Sequence, residues 1–96
     1  PYVVHRQTQQ TAEFYGMYDR GVLAAGYRAD VNVIDFENLN VDAPRMTWDL
    51  PTNAPRFVQH GIGYSYTIAR GEVTVENDKF TGALPGRLLR GPQHLA

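Results

Sequence analysis

The sequence has 96 residues, a formal net charge of -1 and no cysteine. A chain of this length supports one small domain, and because charges of both signs are spread along it, there is no basic stripe for a phosphate backbone. The absence of cysteine excludes disulfides, iron–sulfur clusters, thiolate nucleophiles and cysteine-bound zinc, and it agrees with a reducing, cytoplasmic compartment.

The N-terminal segment predicts one helix, at about residues 2–15. Pro1 suits the first turn, where a backbone N–H is not needed. Gly16 predicts the end of the helix because a residue just past the last turn often adopts a left-handed conformation. One helical face carries Val4, Thr8, Thr11, Tyr15 and Tyr18. The segment lacks the long apolar run of a signal peptide or membrane span, and the start at Pro1 leads us to expect a piece of a longer polypeptide.

The rest of the chain predicts a mainly β structure. The β-branched run VNVIDF, at 31–36, predicts a strand that is covered on both faces. Residues 37–55 contain three prolines and predict a long irregular connection that carries Met46, Trp48 and Leu50. Further strands are predicted at 56–60, 64–70 and 72–77, with tight turns at Arg70-Gly71 and Asn77-Asp78. The Gly- and Pro-rich tail is expected to lie irregularly over the surface.

Gly21 and Gly26 have the spacing of the glycines in a phosphate-binding loop. Such a loop needs Lys and then Ser or Thr directly after the second glycine, and here Tyr27 and Arg28 follow. The motif also runs from strand to helix, whereas this stretch is predicted to run from helix to strand. We therefore interpret the two glycines as a structural turn.

The stretch HGIGYSYT, at 60–67, resembles the stacking strand of an RNA-recognition module. Its first position is His60 instead of a basic residue, and Ile62 stands where an aromatic side chain should stack a base. That fold also needs two helices, and one is predicted. A core strand flanked by glycines is the preferred interpretation.

The sequence predicts no catalytic, cofactor-binding or metal-ligating residue. The histidines, His5, His60 and His94, are widely separated and have no metal-ligand spacing. Ser65 lacks the flanking glycines of a nucleophile elbow, so it is interpreted as a strand residue. Several carboxylates could pair in space for acid–base work, but turn, cap and surface roles are commoner; they are Asp30, Asp35, Asp42, Asp49, Glu72 and Asp78.

Two parts of the sequence carry a family resemblance. DRGVLAAGYRADVNVIDF, at 19–36, resembles the C-terminal part of the amidohydrolase superfamily, where a Gly-containing turn and an Ala-Asp pair precede an apolar strand. The later segments APRM, DLP, ARGEVTVEND and TGALPGRLLRG narrow the resemblance to the N-acyl-D-amino-acid deacylase (D-aminoacylase) branch. The likeness runs from about Gln9 to Gly91.

The resemblance implies a (β/α)8 barrel joined to a composite β-sandwich, to which both ends of the polypeptide contribute strands. Residues 1–18 would then be the last barrel helix, 19–84 the C-terminal part of the sandwich with Val31 and Val33 buried, and 85–96 an irregular tail. The zinc ligands of the family belong to barrel strands that precede this chain. No residue here therefore inherits a catalytic or metal-binding role.

The resemblance also implies a function for the chain within a larger enzyme. We expect a non-catalytic scaffold segment of a metal-dependent hydrolase that cleaves the amide bond of N-acyl, D-configured amino acids. Its partner would be the remainder of the parent polypeptide or a second copy, and neither nucleic acid nor a membrane is expected. The alternative is an autonomous β-rich interaction or oligomerisation module, because an incomplete sheet leaves strand edges and an apolar face open.

Overall fold

The structure, a computed structural model, describes residues 1–95 and begins with a helix. Its pieces are α1 (Tyr2–His5), a π-helical stretch (Arg6–Gln10) and α2 (Thr11–Phe14). The backbone at both junctions stays right-handed helical, so the three pieces form one continuous rod. The prediction of a helix at 2–15 is confirmed, with the end one residue earlier. None of the helical segments between residues 1 and 95 has the length and apolar character that a bilayer crossing requires.

The helix ends as the sequence predicts. Gly16 has a φ of +74°, which a glycine adopts without a Cβ penalty. The Met17 N–H donates to the Ala12 carbonyl at 2.8 Å, and the Gly16 N–H donates to the Glu13 carbonyl at 3.1 Å. These two bonds form a Schellman motif, which satisfies carbonyls that the last helical turn leaves free.

The π-helical stretch was not predicted by the sequence pattern. Two threonine hydroxyls donate to backbone carbonyls of preceding turns, Thr8 to Val4 and Thr11 to Arg6, both at 2.7 Å. Such back-bonding competes with the regular backbone ladder, and it accompanies the wider turn here. Hydrophobic spacing carries no information about this competition.

The connection from the helix to the sheet contains both glycines of the predicted turn. Gly21, with a φ of +88°, lies so close to the helix that a Cβ would sit 2.8 Å from the Thr8 carbonyl oxygen and 3.1 Å from the Ala12 Cβ. Gly26 has a φ of +89° but open space around it. The helix precedes these glycines and a strand follows them. This order confirms a turn and is the reverse of the order in a phosphate-binding loop.

Eight strands follow: β1 (Val31–Ile34), β2 (Asn40–Val41), β3 (Arg45–Thr47), β4 (Arg56–Val58), β5 (Gly61–Ile62), β6 (Tyr64–Ala69), β7 (Glu72–Glu76) and β8 (Lys79–Phe80). The main sheet is antiparallel in the order β1-β6-β7-β8, while β2 pairs with β5 and β3 pairs with β4. The predicted mainly β class with one N-terminal helix is confirmed.

The two predicted turns connect the strands of the main sheet. Arg70 and Gly71, with φ of +53° and +80°, join β6 to β7. Asn77 and Asp78, with φ of +49° and +66°, join β7 to β8. Positive φ at both central residues matches the right-handed twist of the flanking strands, and Asn and Asp tolerate it better than most residues.

The prediction of one irregular connection at 37–55 was wrong at two places. β2 and β3 lie within it, alongside short 3₁₀ turns at Phe36–Asn38 and Pro51–Asn53. Each strand is only two or three residues long and pairs with a later segment of the chain. The prolines and asparagines of the surrounding connection therefore dominate the local sequence pattern. The predicted strand at 31–36 is also shorter, because β1 ends at Ile34 before the first 3₁₀ turn.

The chain buries little of its own apolar surface. Across residues 1–95 only Ala12 is a buried hydrophobic residue, and it was not part of the predicted helical stripe. Val33, expected to be buried, is 45% exposed in this chain, and Val31 is half-buried. The Cα radius of gyration is 15.8 Å, against about 12.5 Å for a compact domain of this length. The helix and strands are formed, but within residues 1–95 they bury little apolar surface against one another.

Candidate docking interface

The structure places the three histidines far from any metal-binding arrangement. His5 ends α1, and His94 stacks on Tyr18 with ring centroids 5.5 Å apart. The Nε2 of His60 lies 2.7 Å from Nη2 of Arg45. Since a guanidinium can only donate, that ring nitrogen accepts and is already occupied. In the part of the chain that the structure describes, no group of three or more His, Cys, Asp or Glu side chains could hold a metal ion.

The candidate carboxylates serve the backbone and neighbouring side chains. Asp30 accepts the Arg70 N–H at 2.9 Å, and Asp42 accepts the His60 N–H at 2.6 Å. Asp78 accepts from two successive backbone donors, Gly63 at 3.1 Å and Tyr64 at 2.7 Å. Asp35 binds the side chain of Asn38, Asp49 forms an ion pair with Arg56, and Glu72 begins β7. These are the turn, cap and surface roles that the sequence favoured.

The stretch at 60–67 does not form one strand. Gly61 and Ile62 belong to β5, whereas residues from Tyr64 onward belong to β6 in a different sheet. Gly63 breaks the chain direction with a φ of +105°, and a Cβ there would lie 2.9 Å from the Leu39 Cα. Tyr64 and Tyr66, the aromatic residues of the stretch, both lie on β6, whereas Ile62 lies on β5, so the stretch does not form the single stacking strand of an RNA-recognition module. Ser65 lies within β6, as predicted.

Apolar surface is the dominant feature of the chain. The solvent-accessible area is 7782 Å², whereas a compact monomer of this mass exposes about 5,500 Å². The excess of total area, about 2,300 Å², exceeds the roughly 800 Å² that each partner buries in a standard interface. We call the exposed apolar side chains of three elements the docking surface: Tyr2, Val3, Phe14 and Tyr15 on the helix, Val33 and Ile34 on β1, and Met46, Trp48, Leu50 and Phe57 on the β3–β4 hairpin.

The helix contributes aromatic side chains to the docking surface. Phe14 and Tyr15 are 82% and 67% exposed and contact each other edge to face, with centroids 5.1 Å apart. Tyr2, at the other end, is 70% exposed beside the Arg6 guanidinium, which lies 5.7 Å from its ring centroid. A helix that exposes apolar groups on several sides is typical of one packed inside a larger protein.

β1 contributes an open strand edge. It pairs with β6 on one side, and within residues 1–95 no strand pairs with its other side. The sequence of β1, VNVI, contains no Pro, Lys or other charged residue of the kind that protects exposed edges in stable monomers. Its outer N–H and C=O groups can therefore accept another strand.

The β3–β4 hairpin has two different faces. Met46 lies opposite Phe57 in the pairing register, and Trp48, directly after β3, is 61% exposed. The other face carries Thr47 opposite Arg56, and the Arg56 guanidinium forms a bidentate ion pair with Asp49. Hydrogen bonds from Arg56 hold the pKa of the Asp49 carboxyl below its usual value. The hairpin is thus polar on one face and uncovered and apolar on the other.

These features suit the chain for packing against other protein surface. Met46, Trp48 and Leu50 stand out in the sequence as apolar residues of an irregular connection, and their pattern gives no sign that Phe57 lies opposite Met46 in a hairpin. Val4 and Tyr15, which share the predicted helical face, are 62% and 67% exposed. Apolar residues show the same spacing in the sequence whether this chain buries them or leaves them exposed.

Comparison with known proteins gives two matches and one negative result. The sequence profile of the amidohydrolase family matches residues 2–75. An N-acyl-D-glutamate deacylase of Alcaligenes xylosoxydans xylosoxydans is 40% identical over 57 residues, which are 59% of this chain and 11% of that relative. The matched region thus spans about a tenth of the relative's length. No solved structure matches the chain.

Proposed function

Because the chain belongs to the amidohydrolase family, we propose that it is the non-catalytic C-terminal scaffold segment of a metal-dependent hydrolase that cleaves the amide bond of N-acyl, D-configured amino acids. The observation that carries the proposal is the docking surface: its large apolar side chains are exposed, and the chain's total accessible area exceeds that of a compact monomer of its mass. The similarity to a much longer deacylase supports it.

The family's metal does not fit the residues of this chain. His60 is engaged by Arg45, His94 stacks on Tyr18, and the acceptors Asp42 and Asp78 are occupied by backbone N–H groups. A zinc site needs three or four ligands converging at about 2 Å, and no such set exists between residues 1 and 95. In the proposed enzyme the metal and the chemistry it supports belong to the catalytic portion of the polypeptide.

The segment stabilises the enzyme because its apolar surfaces pack against the remainder of the polypeptide. In the proposed enzyme the helix packs on the barrel, the open edge of β1 receives a strand from the N-terminal part of the polypeptide, and the apolar face of the β3–β4 hairpin is buried. Burying a large apolar side chain such as Phe14 or Phe57 stabilises a fold by about 1.5–3 kcal/mol. The partner is the remainder of the parent polypeptide, and we place the enzyme in the cytoplasm, consistent with a chain without cysteine.

The test separates the segment from the remainder of the enzyme. The longer gene product is expressed whole, without the residues numbered 1–95 here, and as two polypeptides mixed together. We expect the whole enzyme to hydrolyse N-acetyl-D-glutamate and related N-acyl-D-amino acids, the shortened enzyme to aggregate or lose activity, and mixing to restore part of it. The segment alone should hydrolyse none of these substrates and should bind no stoichiometric zinc by metal analysis.

Two results would contradict the proposal. Full activity and an unchanged melting temperature of the shortened enzyme would show that the segment is not a scaffold. One tight zinc per isolated segment would show that it carries a metal site of its own. A matched variant, Phe57→Ser, removes one docking side chain and should weaken restoration on mixing, whereas Glu72→Gln, at the β6–β7 hairpin end, should not.

A second candidate is an autonomous oligomerisation module, favoured by the unprotected edge of β1. Light scattering of the isolated segment distinguishes the two. A discrete symmetric oligomer with a cooperative melting transition supports the module, because edges and apolar faces would then be covered by copies of the same chain. Heterogeneous association that the remainder of the enzyme suppresses supports the scaffold.

A further inference from the structure

The C-terminal tail is held at both ends and projects between them. At its start, the Thr81 N–H donates to the Thr74 carbonyl at 2.9 Å and the Thr81 hydroxyl donates to the Val73 carbonyl at 2.6 Å. At its far end, Gln93 exchanges backbone hydrogen bonds with the residues after the helix, donating to the Gly16 carbonyl at 2.8 Å and accepting from the Tyr18 N–H at 2.7 Å. We call the residues between these anchors, 83–90, the tail arc.

The tail arc differs in charge from the rest of the chain. The tail arc contains Arg87 and Arg90 and no acidic residue, a charge of +2, while the chain as a whole has -1. Arg87 and Arg90 are exposed and form no ion pair within residues 1–95, in contrast to Arg20, Arg28, Arg45 and Arg56, which each pair with an aspartate. The charge of the arc is thus not neutralised by its own chain.

The tail arc also presents apolar groups. Leu84 and Leu88 are 93% and 76% exposed, among the most exposed large side chains in the described chain. Beside the start of the arc lies an open hollow of about 430 Å³, lined mainly by apolar groups that include Phe80, Leu84 and Pro85. Two arginines, two leucines and this hollow form a surface that is both basic and apolar.

We propose that the tail arc is an intramolecular clamp that docks on an acidic, apolar surface of the catalytic portion of the same polypeptide. This proposal rests on the scaffold function proposed above. Anchoring at both ends reduces the freedom that the arc loses on docking, so few contacts suffice. A separate partner would be held too weakly, because a standard interface uses about 20–30 residues on each side and the arc supplies far fewer. Attachment to the same chain supplies the effective concentration that compensates.

Charge reversal in the intact enzyme tests the clamp. We expect the double variant Arg87→Glu/Arg90→Glu to lower the melting temperature at low salt by at least about 3 °C, because the two new glutamates would face the acidic surface on which the arc docks. The loss should shrink at about 0.5 M NaCl, where the Debye length is only a few ångströms. The matched control is Arg70→Glu, since Arg70 is also exposed and outside the ion pairs but lies in the β6–β7 turn. Arg70→Glu should change the melting temperature by less than about 1 °C.

Trypsin supplies a second measurement that does not depend on stability. In the wild-type enzyme cleavage after Arg87 and Arg90 should be slow at low salt, and the Leu84→Ser/Leu88→Ser variant should be cut there about tenfold faster, because proteolysis follows the population of the undocked arc. Equal melting temperatures for the arc and control variants, with equal cleavage rates, would overturn the proposal. An oligomer that dissociates on charge reversal, with unchanged protomer stability, would assign the arc to a second copy instead.

The test distinguishes failure of the clamp from failure of the scaffold. If arc variants behave like Arg70→Glu while removal of the whole segment still inactivates the enzyme, the clamp is wrong and the scaffold function stands. If removal of the whole segment leaves the enzyme unchanged, both proposals are wrong.

Discussion

Substitution of Gly21 by alanine measures how closely the connection after the helix approaches it. Gly21 combines a φ of +88° with a position where a Cβ would lie 2.8 Å from the Thr8 carbonyl oxygen. Gly26 has nearly the same φ, +89°, and no heavy atom within 4 Å of the added Cβ. The two glycines therefore differ in packing and share the same backbone requirement, which makes Gly26→Ala the matched control.

The expected magnitudes follow from these two terms. A left-handed conformation costs an alanine about 1–2 kcal/mol, and the smaller entropy of its unfolded state offsets about 0.4–1 kcal/mol of this. Gly26→Ala should thus lower the free energy of unfolding by about 1 kcal/mol. Gly21→Ala adds overpacking against backbone atoms, which typically costs about 1–3 kcal/mol, for a total of about 2–4 kcal/mol.

Urea unfolding of the proposed enzyme is the assay, with midpoints compared at unchanged slope so that the differences report stability. Gly21→Ser should behave like Gly21→Ala, since both add a Cβ. Equal losses at Gly21 and Gly26, within about 0.5 kcal/mol, would refute the close approach of the connection to the helix.

Three further predictions concern polar contacts and exposure. Asp78→Ala should lower the free energy of unfolding by about 1–3 kcal/mol in the same urea assay, because the N–H groups of Gly63 and Tyr64 lose their acceptor, and Asp78→Asn should cost less since one oxygen remains. The Arg20 hydrogen bonds keep the pKa of Asp19 below its usual value. Their contribution to the free energy of unfolding is therefore present at neutral pH and disappears as the pH falls below about 4. The melting temperature of Arg20→Gln should differ from that of wild type at pH 7 and converge with it under acid. Trp48 is 61% exposed, so its fluorescence should be quenched by iodide in the isolated segment. Its emission should shift to the blue when the remainder of the proposed enzyme is added, and unchanged emission would place Trp48 outside the interface.

Local signals predicted the parts of the fold that local chemistry determines. The helix, its end at Gly16 and the turns at Arg70-Gly71 and Asn77-Asp78 depend on a few consecutive residues, and the structure has all of them. β2 and β3 were missed because each is only two or three residues long and pairs with a strand beyond a long connection, and their own sequences contain no sustained alternation. The anchoring of the tail at Gln93 was missed for the same reason, since it joins opposite ends of the chain.

Prediction of the candidate interface was limited by a different cause. An apolar residue such as Val33 or Phe57 has the same pattern in sequence whether its partner lies in the same chain or in another part of a longer one. The sequence therefore predicted an incomplete β layer but assigned burial to residues that this chain leaves exposed. The structure distinguishes the two cases, because it shows which side chains pack against each apolar residue.

The arrangement of the docking surface limits what can cover it. Within residues 1–95 neither the helix nor the β3–β4 hairpin packs extensively on the main sheet. Among these residues no buried side-chain N or O atom lacks a hydrogen-bond partner, whereas many large apolar side chains are exposed. The exposed apolar side chains lie on the helix, on β1 and on the hairpin. A longer polypeptide that surrounds the segment can cover all of them, and the free energy that stabilises this chain then comes mainly from that contact.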